Sequence, residues 1–234
     1  MSSKSSRREP PPPGAWTFFR QWLRHPLSIA AISPSSRQLA RLMVKELPPD
    51  CERVVELGGG TGVFTRALLD HGIADDNLMV VELNEELHHH LSRRFPDVHV
   101  ALGDARELPA VAKKAGYAEA GQVDAVISGL GLLSMSHELQ TQILESAFSM
   151  LRPGGRFIQF TYGPVCPVAK DVRDALKLRN RRGGFAVWNM PPATVFVLTQ
   201  ARSKAVEAQP MGASRNGRRQ PRKGGKSASA STSA

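Results

Sequence analysis

Short, nearly continuous apolar runs alternate along this chain with stretches whose apolar positions recur at helical spacing. The runs over 53–57, 78–82, 98–102, 123–128 and 156–161 read as buried strands. The residues after the glycines at 58–62 read as a helix ending near Gly72. A second helix is expected over 84–95, with a stripe of Leu87, Leu91 and Phe95, and a third over 138–151, stopped by Pro153-Gly154-Gly155. Another helix is expected over 170–182, ending at Gly183-Gly184. A closing strand pair follows over 185–188 and 194–198, joined through 189–192. Strand–helix alternation with strands apolar on both faces implies a parallel sheet covered on both sides. The final pair, with no helix between its members, implies one antiparallel strand at the edge. No internal repeat interrupts this plan.

Upstream of the alternation lies an amphipathic segment. At 100° per residue, Trp16, Phe18, Phe19, Trp22, Leu23 and Pro26 fall on one half of the wheel, and Thr17, Arg20, Gln21, Arg24 and His25 on the other. Such a segment can pack on the domain core. It can also lie in a lipid interface with Arg20 and Arg24 near anionic headgroups, and the two are compatible. Ser33 is placed to cap a helix whose first residue is Pro34 and which runs to about residue 47. Arg37, near that helix start, is positioned to face an anion. The chain therefore divides into a polar leader over 1–15 with prolines at 10–13, a helical membrane-facing segment over 16–47, a ligand-binding domain over 48–200, and a Ser/Ala/Gly-rich basic tail over 201–234.

Composition sharpens this picture. The 234 residues are 41% hydrophobic and 22% charged, enough for one packed domain with tails. No stretch reaches the length of a membrane span, and the N-terminus has no apolar signal core, so a cytoplasmic protein is expected. Two cysteines, Cys51 and Cys166, are too few for a disulfide framework or a zinc site, and no metal is expected. The net charge of +10 belongs mainly to the ends: residues 201–234 hold eight Lys/Arg against one Glu, and residues 1–15 hold three against one. That distribution concerns partners, not fold.

The chemistry concentrates in the loop after the first strand. Glu56 ends the strand run, and Gly58, Gly60 and Gly62 follow with Thr61 between the last two. In such sheets ligands bind at the carboxyl ends of the strands. The spacing is not the G-x-G-x-x-G of dinucleotide binding, because residue 63 is Val, and no G-K-S/T phosphate loop is present. The E-x-G-x-G-x-G pattern resembles the first motif of class I S-adenosylmethionine-dependent methyltransferases. That resemblance implies a Rossmann-like α/β fold with a seven-stranded, mostly parallel sheet and helices on both faces. It also implies that the loop faces the methionine and ribose parts of the cofactor. Glu82, closing the second strand, would accept from the ribose hydroxyls, and Asp104 or its neighbour Ala105 would meet the adenine edge. Ser128 would open the loop beside the transferable methyl group, and S-adenosylhomocysteine would be the product.

Longer phrases narrow the resemblance. F-x-x-W-L-x-x-P over 19–26, S-P-S-S-R over 33–37, V-x-E-L-G-x-G-T-G-x-x-T-R-A-L-L over 54–69, S-G-L-x-L-L over 128–133, L-R-P-G-G-R-F-I-Q-F-T-Y-G over 151–163 and W-N-x-P-P-A over 188–193 are similar to the bacterial phospholipid N-methyltransferase family. Gly59 departs from its pattern, where a larger residue or proline is expected, and the basic tail is an addition. The resemblance implies methylation of phosphatidylethanolamine towards phosphatidylcholine at the inner face of the cytoplasmic membrane, on a bilayer containing anionic lipids and without a protein partner. Tyr162 is the expected residue for headgroup placement and Arg37 for the lipid phosphate. Two other readings stand beside it. One is a ribosomal RNA adenine N6-methyltransferase, with nucleic acid reached through the basic tail, although residues 128–131 lack the Asn-(Leu/Pro)-Pro-(Tyr/Phe) motif. The other is a membrane- or nucleic-acid-binding protein with a degenerate methyltransferase domain.

Overall fold

A computed structural model of the chain describes residues 34–186 and 192–200, with side-chain environments from Arg37 onward. Helix α1 (Pro34–Val44) precedes strand β1 (Val54–Leu57). Then come α2 (Val63–His71), β2 (Leu78–Glu82), α3 (Glu85–Arg94), β3 (His99–Leu102), α4 (Leu108–Lys114), β4 (Val123–Ser128) and α5 (His137–Met150). β5 (Leu151–Thr161), α6 (Lys170–Ala175), β6 (Leu178–Ala186) and β7 (Ala193–Gln200) complete the order.

The strands form one seven-stranded sheet in the order β3-β2-β1-β4-β5-β7-β6. β1 pairs in parallel with β2 and β4, β2 with β3, and β4 with β5. Every residue of β1, β2 and β4 is buried, which is why their sequences read as apolar runs without alternation. One face packs Val55, Met79, Val126 and Phe157 against α4, α5 and α6 through Leu108, Leu144 and Val172. The other packs Val54, Val80, Ile127 and Ile158 against α1, α2 and α3 through Met43, Leu68 and Leu91.

Local chemistry fixes the helix ends. Asn84 Oδ1 accepts the N–H of Leu87 at 3.0 Å to open α3, and Ser136 Oγ accepts that of Leu139 at 3.2 Å to open α5. Gly72, at φ 107°, closes α2 by donating to the carbonyls of Leu68 and Leu69.

Five expectations need correction. The helix expected over 170–182 stops at Ala175, because Leu176 caps it and Lys177 turns the chain at φ 54°. The strand expected over 185–188 instead spans Leu178–Ala186. Gly183-Gly184 is not a helix stop but the place where α1 lies against this strand. A Cβ on Gly183 would stand 2.6 Å from Glu46 Oε1, and one on Gly184 2.8 Å from Leu42 Cδ2. The antiparallel strand is not at the edge. β7, buried from Ala193 to Leu198, needs neighbours on both sides and inserts between β5 and β6. β6, which carries Arg179, Arg181 and Arg182, is left as the solvent-facing edge. Finally, β5 starts at Leu151 rather than at 156, with Pro153-Gly154-Gly155 absorbed as an irregularity between the pairs Leu151–Val123 and Arg156–Ala125. α4 was not expected at all.

Candidate active site

The order of strands reverses at β1 and β4, and a cavity of about 320 Å³ opens there beyond their carboxyl ends. Gly58, Glu82, Asp104 and Ala105, four of the residues expected to hold a cofactor, line it together with Leu83, Leu130, Met135 and Leu139.

The glycine loop is built by alternation. Gly58, Gly60 and Gly62 have φ of 75°, 55° and 80°, a region that residues with a Cβ occupy only at a cost. The N–H of Gly58 donates to Val81 O at 2.8 Å and that of Gly60 to Glu82 Oε2 at 2.9 Å. Glu82 Oε1 accepts from the N–H of Asn84 at 3.0 Å. The buried Glu82 thus ties the loop to the turn after β2, and each oxygen keeps a second lone pair for a hydroxyl donor. Thr61 is held through its carbonyl, which accepts from Arg94 Nη1 at 3.1 Å. Gly59, the departure from the expected pattern, has a local cause: a Cβ there would run into Val80 Cγ1 and lie 2.8 Å from Leu91 Cδ1.

Glu56 lies beneath this loop, fully buried, and does not line the cavity. Its Oε2 accepts from Thr65 Oγ1 at 2.6 Å, while Oε1 has no hydrogen-bond partner among the described residues. Burial pushes the carboxyl up to about 8, against the lowering effect of the Thr65 bonds. Asp104 behaves oppositely. Its carboxylate accepts from Arg106 Nε at 2.9 Å, Arg106 Nη2 at 2.6 Å and the N–H of Arg106 at 2.9 Å. The hydrogen bonds from the Arg106 side chain hold it below the usual carboxylate range.

The opposite wall is apolar and pinned from behind. Ser128, buried at the end of β4, accepts the N–H of Leu130 at 3.3 Å, and the N–H of Gly129 donates to Leu57 O at 2.8 Å. Two buried glutamines that sequence reasoning missed hold the loop that follows. Gln159 Nε2 donates to the carbonyls of Leu130 at 2.9 Å and Phe160 at 2.8 Å. Gln140 Nε2 donates to Leu132 O at 2.9 Å and Met135 O at 3.3 Å, and its Oε1 accepts the N–H of Ala169 at 2.9 Å. The only signal was an amide set among apolar neighbours, in F-I-Q-F and on the inner stripe of α5.

The two residues expected to handle an acceptor do not line the cavity. Tyr162 lies just beyond β5, half-buried, edge-on to Phe160 at 5.5 Å, and Phe160 in turn meets Phe64 at 5.8 Å. Arg37 is exposed on α1 in a separate groove. Trp16, Phe18, Phe19, Arg20, Trp22, Leu23 and Arg24 lie outside the described residues, as do Ser33, Trp188 and the basic tail. Among the described residues no cluster of His, Cys, Asp and Glu is arranged to hold a metal. No described helix is long and apolar enough to cross a membrane.

These groups fit S-adenosylmethionine. Glu82 offers acceptors for ribose hydroxyls, Asp104 an acceptor for an exocyclic amine, and Glu56 Oε1 an unsatisfied acceptor suited to an ammonium. Comparison with known proteins agrees. Residues 54–155 match the family described as a methyltransferase domain. The ornithine lipid N-methyltransferase of Singulisphaera acidiphila is 34% identical over 151 residues, which are 63% of this chain and 77% of that protein. The ribosomal RNA small subunit methyltransferase A of a Synechococcus species is 34% identical over 95 residues, 39% of this chain and 31% of that protein. Among solved structures, the glycopeptide N-methyltransferase MtfA complexed with S-adenosylmethionine superposes with a TM-score of 0.54 at 15% identity, over 71% of this chain and 94% of that one. With the seven-stranded sheet, the glycine loop and these relatives in agreement, the chain belongs to the S-adenosylmethionine-dependent class I methyltransferases.

Proposed function

We propose that this methyltransferase transfers methyl groups to the amine headgroup of a membrane lipid, with phosphatidylethanolamine and its partly methylated derivatives as acceptors. The observation that carries the lipid reading is the relationship to an ornithine lipid N-methyltransferase over most of that protein's length. The cavity supports it: its wall beyond the glycine loop is formed by Leu130, Met135, Leu139 and Ile143, with no ionisable side chain among them. The ribosomal RNA reading rests on a relative of which this chain spans 31%, and residues 128–131 are Ser-Gly-Leu-Gly rather than a base-gripping motif.

S-adenosylmethionine, when bound, supplies an electrophilic methyl group. The chain has to present a neutral amine to it, since an alkylammonium of pKa about 10.4 has no free lone pair at neutral pH. Apolar surroundings disfavour the charged form, so the Leu130–Met135 wall promotes loss of the proton by desolvation. Gln140 and Gln159 keep that wall in place, so positioning and water exclusion take the role of a dedicated base. In this reading Tyr162 guides the headgroup from its position after β5. The segment containing Phe19 and Trp22 inserts shallowly into the inner leaflet. The test is purified protein with labelled methyl donor and vesicles with or without phosphatidylethanolamine, the lipid extract being resolved by thin-layer chromatography. Label in mono-, di- and trimethylated species is expected. Label only in an added ornithine lipid would move the acceptor within the lipid class, and label only in RNA would overturn the reading.

A further inference from the structure

The large apolar side chains that remain exposed are not scattered. Leu83, Leu102, Leu133, Val165 and Phe185 are between 46% and 68% exposed among the described residues. Leu83 follows β2, Leu102 ends β3, Leu133 follows β4 and Val165 follows β5. Phe185 pairs with Thr194, which pairs with Thr161 at the end of β5, so it too lies at this level. All of them therefore ring the edge of the sheet on which the cofactor cavity opens. Isolated exposed apolar residues need no explanation, but a set confined to one rim marks a contact surface.

A cationic groove begins at the same edge. α2 starts there, directly after the glycine loop. α1 also starts there, because its far end is fixed at the opposite edge by Arg156 Nη1, which donates to Glu46 O at 2.8 Å and Leu47 O at 3.1 Å. Between them runs a groove of about 570 Å³ lined by Arg37, Arg41, Lys45, Arg66 and Arg94, with Asp70 as the lone carboxylate. None of those five cations has an ion-pair partner among the described residues. Arg66 and Arg94 each lie against the Phe95 ring, at 5.3 and 5.4 Å from its centroid, so an aromatic ring rather than a carboxylate holds both guanidiniums. A concave surface with a large excess of one sign concentrates anions, and guanidiniums suit phosphate oxygens.

We infer that the carboxyl edge of the sheet is a bilayer-docking face, in which the apolar rim enters the interface and the α1–α2 groove takes the phosphates of anionic phospholipids. The inference rests on the lipid reading above. It adds a binding surface on the catalytic domain itself, separate from the N-terminal amphipathic segment. The occupant is a lipid surface rather than a nucleic acid because the cations adjoin an apolar rim. A polynucleotide groove would need no exposed leucine, valine and phenylalanine beside it.

Two double variants of the full chain test this: Arg41→Glu with Arg66→Glu in the groove, and Val165→Asp with Phe185→Asp on the rim. Each is checked for retained S-adenosylhomocysteine binding by calorimetry, then titrated with vesicles of phosphatidylcholine alone or mixed with phosphatidylglycerol. The groove variant is expected to bind phosphatidylglycerol vesicles at least about tenfold more weakly at low salt, from the usual attraction per cation near a charged surface. The rim variant is expected to lose binding that persists in the parent at high salt. Parental vesicle affinity in both variants overturns the inference, as does a loss seen with single-stranded RNA but not with vesicles. Methyl transfer to phosphatidylethanolamine in neutral detergent micelles is measured in parallel. Activity there with unchanged vesicle binding rejects the docking face alone, whereas absence of transfer rejects the acceptor reading.

Discussion

Glu56 shows most directly how a residue reconciles fold and ligand. Burial removes both of its oxygens from water, and the Thr65 hydroxyl satisfies only one. Its carboxyl is raised from 4.5 to about 8, so across that window the folded protein holds a proton that the unfolded chain has lost. Stability contributed at this site therefore falls as pH rises through the window. Glu56→Gln keeps an acceptor for Thr65 and removes the titration. Its melting temperature relative to the parent should climb between about pH 5 and about pH 8, as read by differential scanning fluorimetry. The same substitution should weaken S-adenosylhomocysteine binding by roughly tenfold, since a charge-assisted bond is replaced by a neutral one. Calorimetry in buffers of different ionisation enthalpy should show proton release on binding in the parent and none in the variant. A second residue-scale prediction concerns Gly59. Gly59→Ala has to displace Val80, a β-branched side chain in the centre of β2, and should cost about 1–3 kcal/mol in urea unfolding. Glu82 and Asp104 were legible in the sequence because each closes an apolar run with an acid. Gln140 and Gln159 were not, because what they hold is backbone brought near only by folding.

At the scale of elements, the sequence was clear wherever a strand is buried on both faces and vague wherever it is not. β1, β2 and β4 announce themselves through unbroken apolar runs. β6 carries three arginines and a Gly-Gly pair, and its identity comes from β7 beside it and α1 against it, neither of which is local information. The start of β5 was hidden in the same way, by a Pro-Gly-Gly that breaks helices in general and here forms an irregular strand opening. Asp124 joins two elements in a manner that can be measured. It is buried at the start of β4. Its Oδ2 accepts the N–H groups of Glu52 at 2.9 Å and Arg53 at 2.8 Å, and Oδ1 accepts from Arg152. Burial alone would raise this carboxyl, but the two backbone bonds and the Arg152 guanidinium outweigh it and hold it below its ordinary value. A depressed carboxyl stabilises the fold above its ordinary pKa, and that contribution is lost as pH falls through the depressed one. Asp124→Asn can keep its carbonyl oxygen on the two backbone N–H groups only by turning its amide nitrogen, a donor, towards the Arg152 guanidinium, and should cost about 1–3 kcal/mol at neutral pH. The difference in chemical denaturation midpoint between variant and parent should shrink in acid.

The whole molecule is asymmetric along the strand direction, and that asymmetry decides what a ligand can stabilise. At the carboxyl edge the glycine loop, the Glu82 turn, the Asp104 turn and the loop from Gly129 to Met135 meet around one cavity, each attached to a different strand. A few separate hydrogen bonds join these loops, such as Gly60 N–H to Glu82, whereas the strands beneath them are joined by continuous ladders. A cofactor touching all of these loops should therefore protect them together and leave β7 and β6, three and four strand positions removed from β1, unaffected. Hydrogen exchange with saturating S-adenosylhomocysteine should slow amide exchange at residues 58–62, 82–84, 103–106 and 129–131, with no change over 178–186. At a hundredfold excess over the dissociation constant, binding to the folded state alone adds about 2.7 kcal/mol, which for a domain of this size is a rise in melting temperature of roughly 5–11 °C. Protection spread evenly over the sheet would instead mean that the ligand stabilises the domain as one unit, and that the loops are already as rigid as the strands before it arrives. Protection limited to 58–62 would mean that Asp104 and the apolar wall do not contact the nucleoside. The pattern across the four loops thus reads out directly whether one cavity, assembled from four strand ends, holds the whole cofactor.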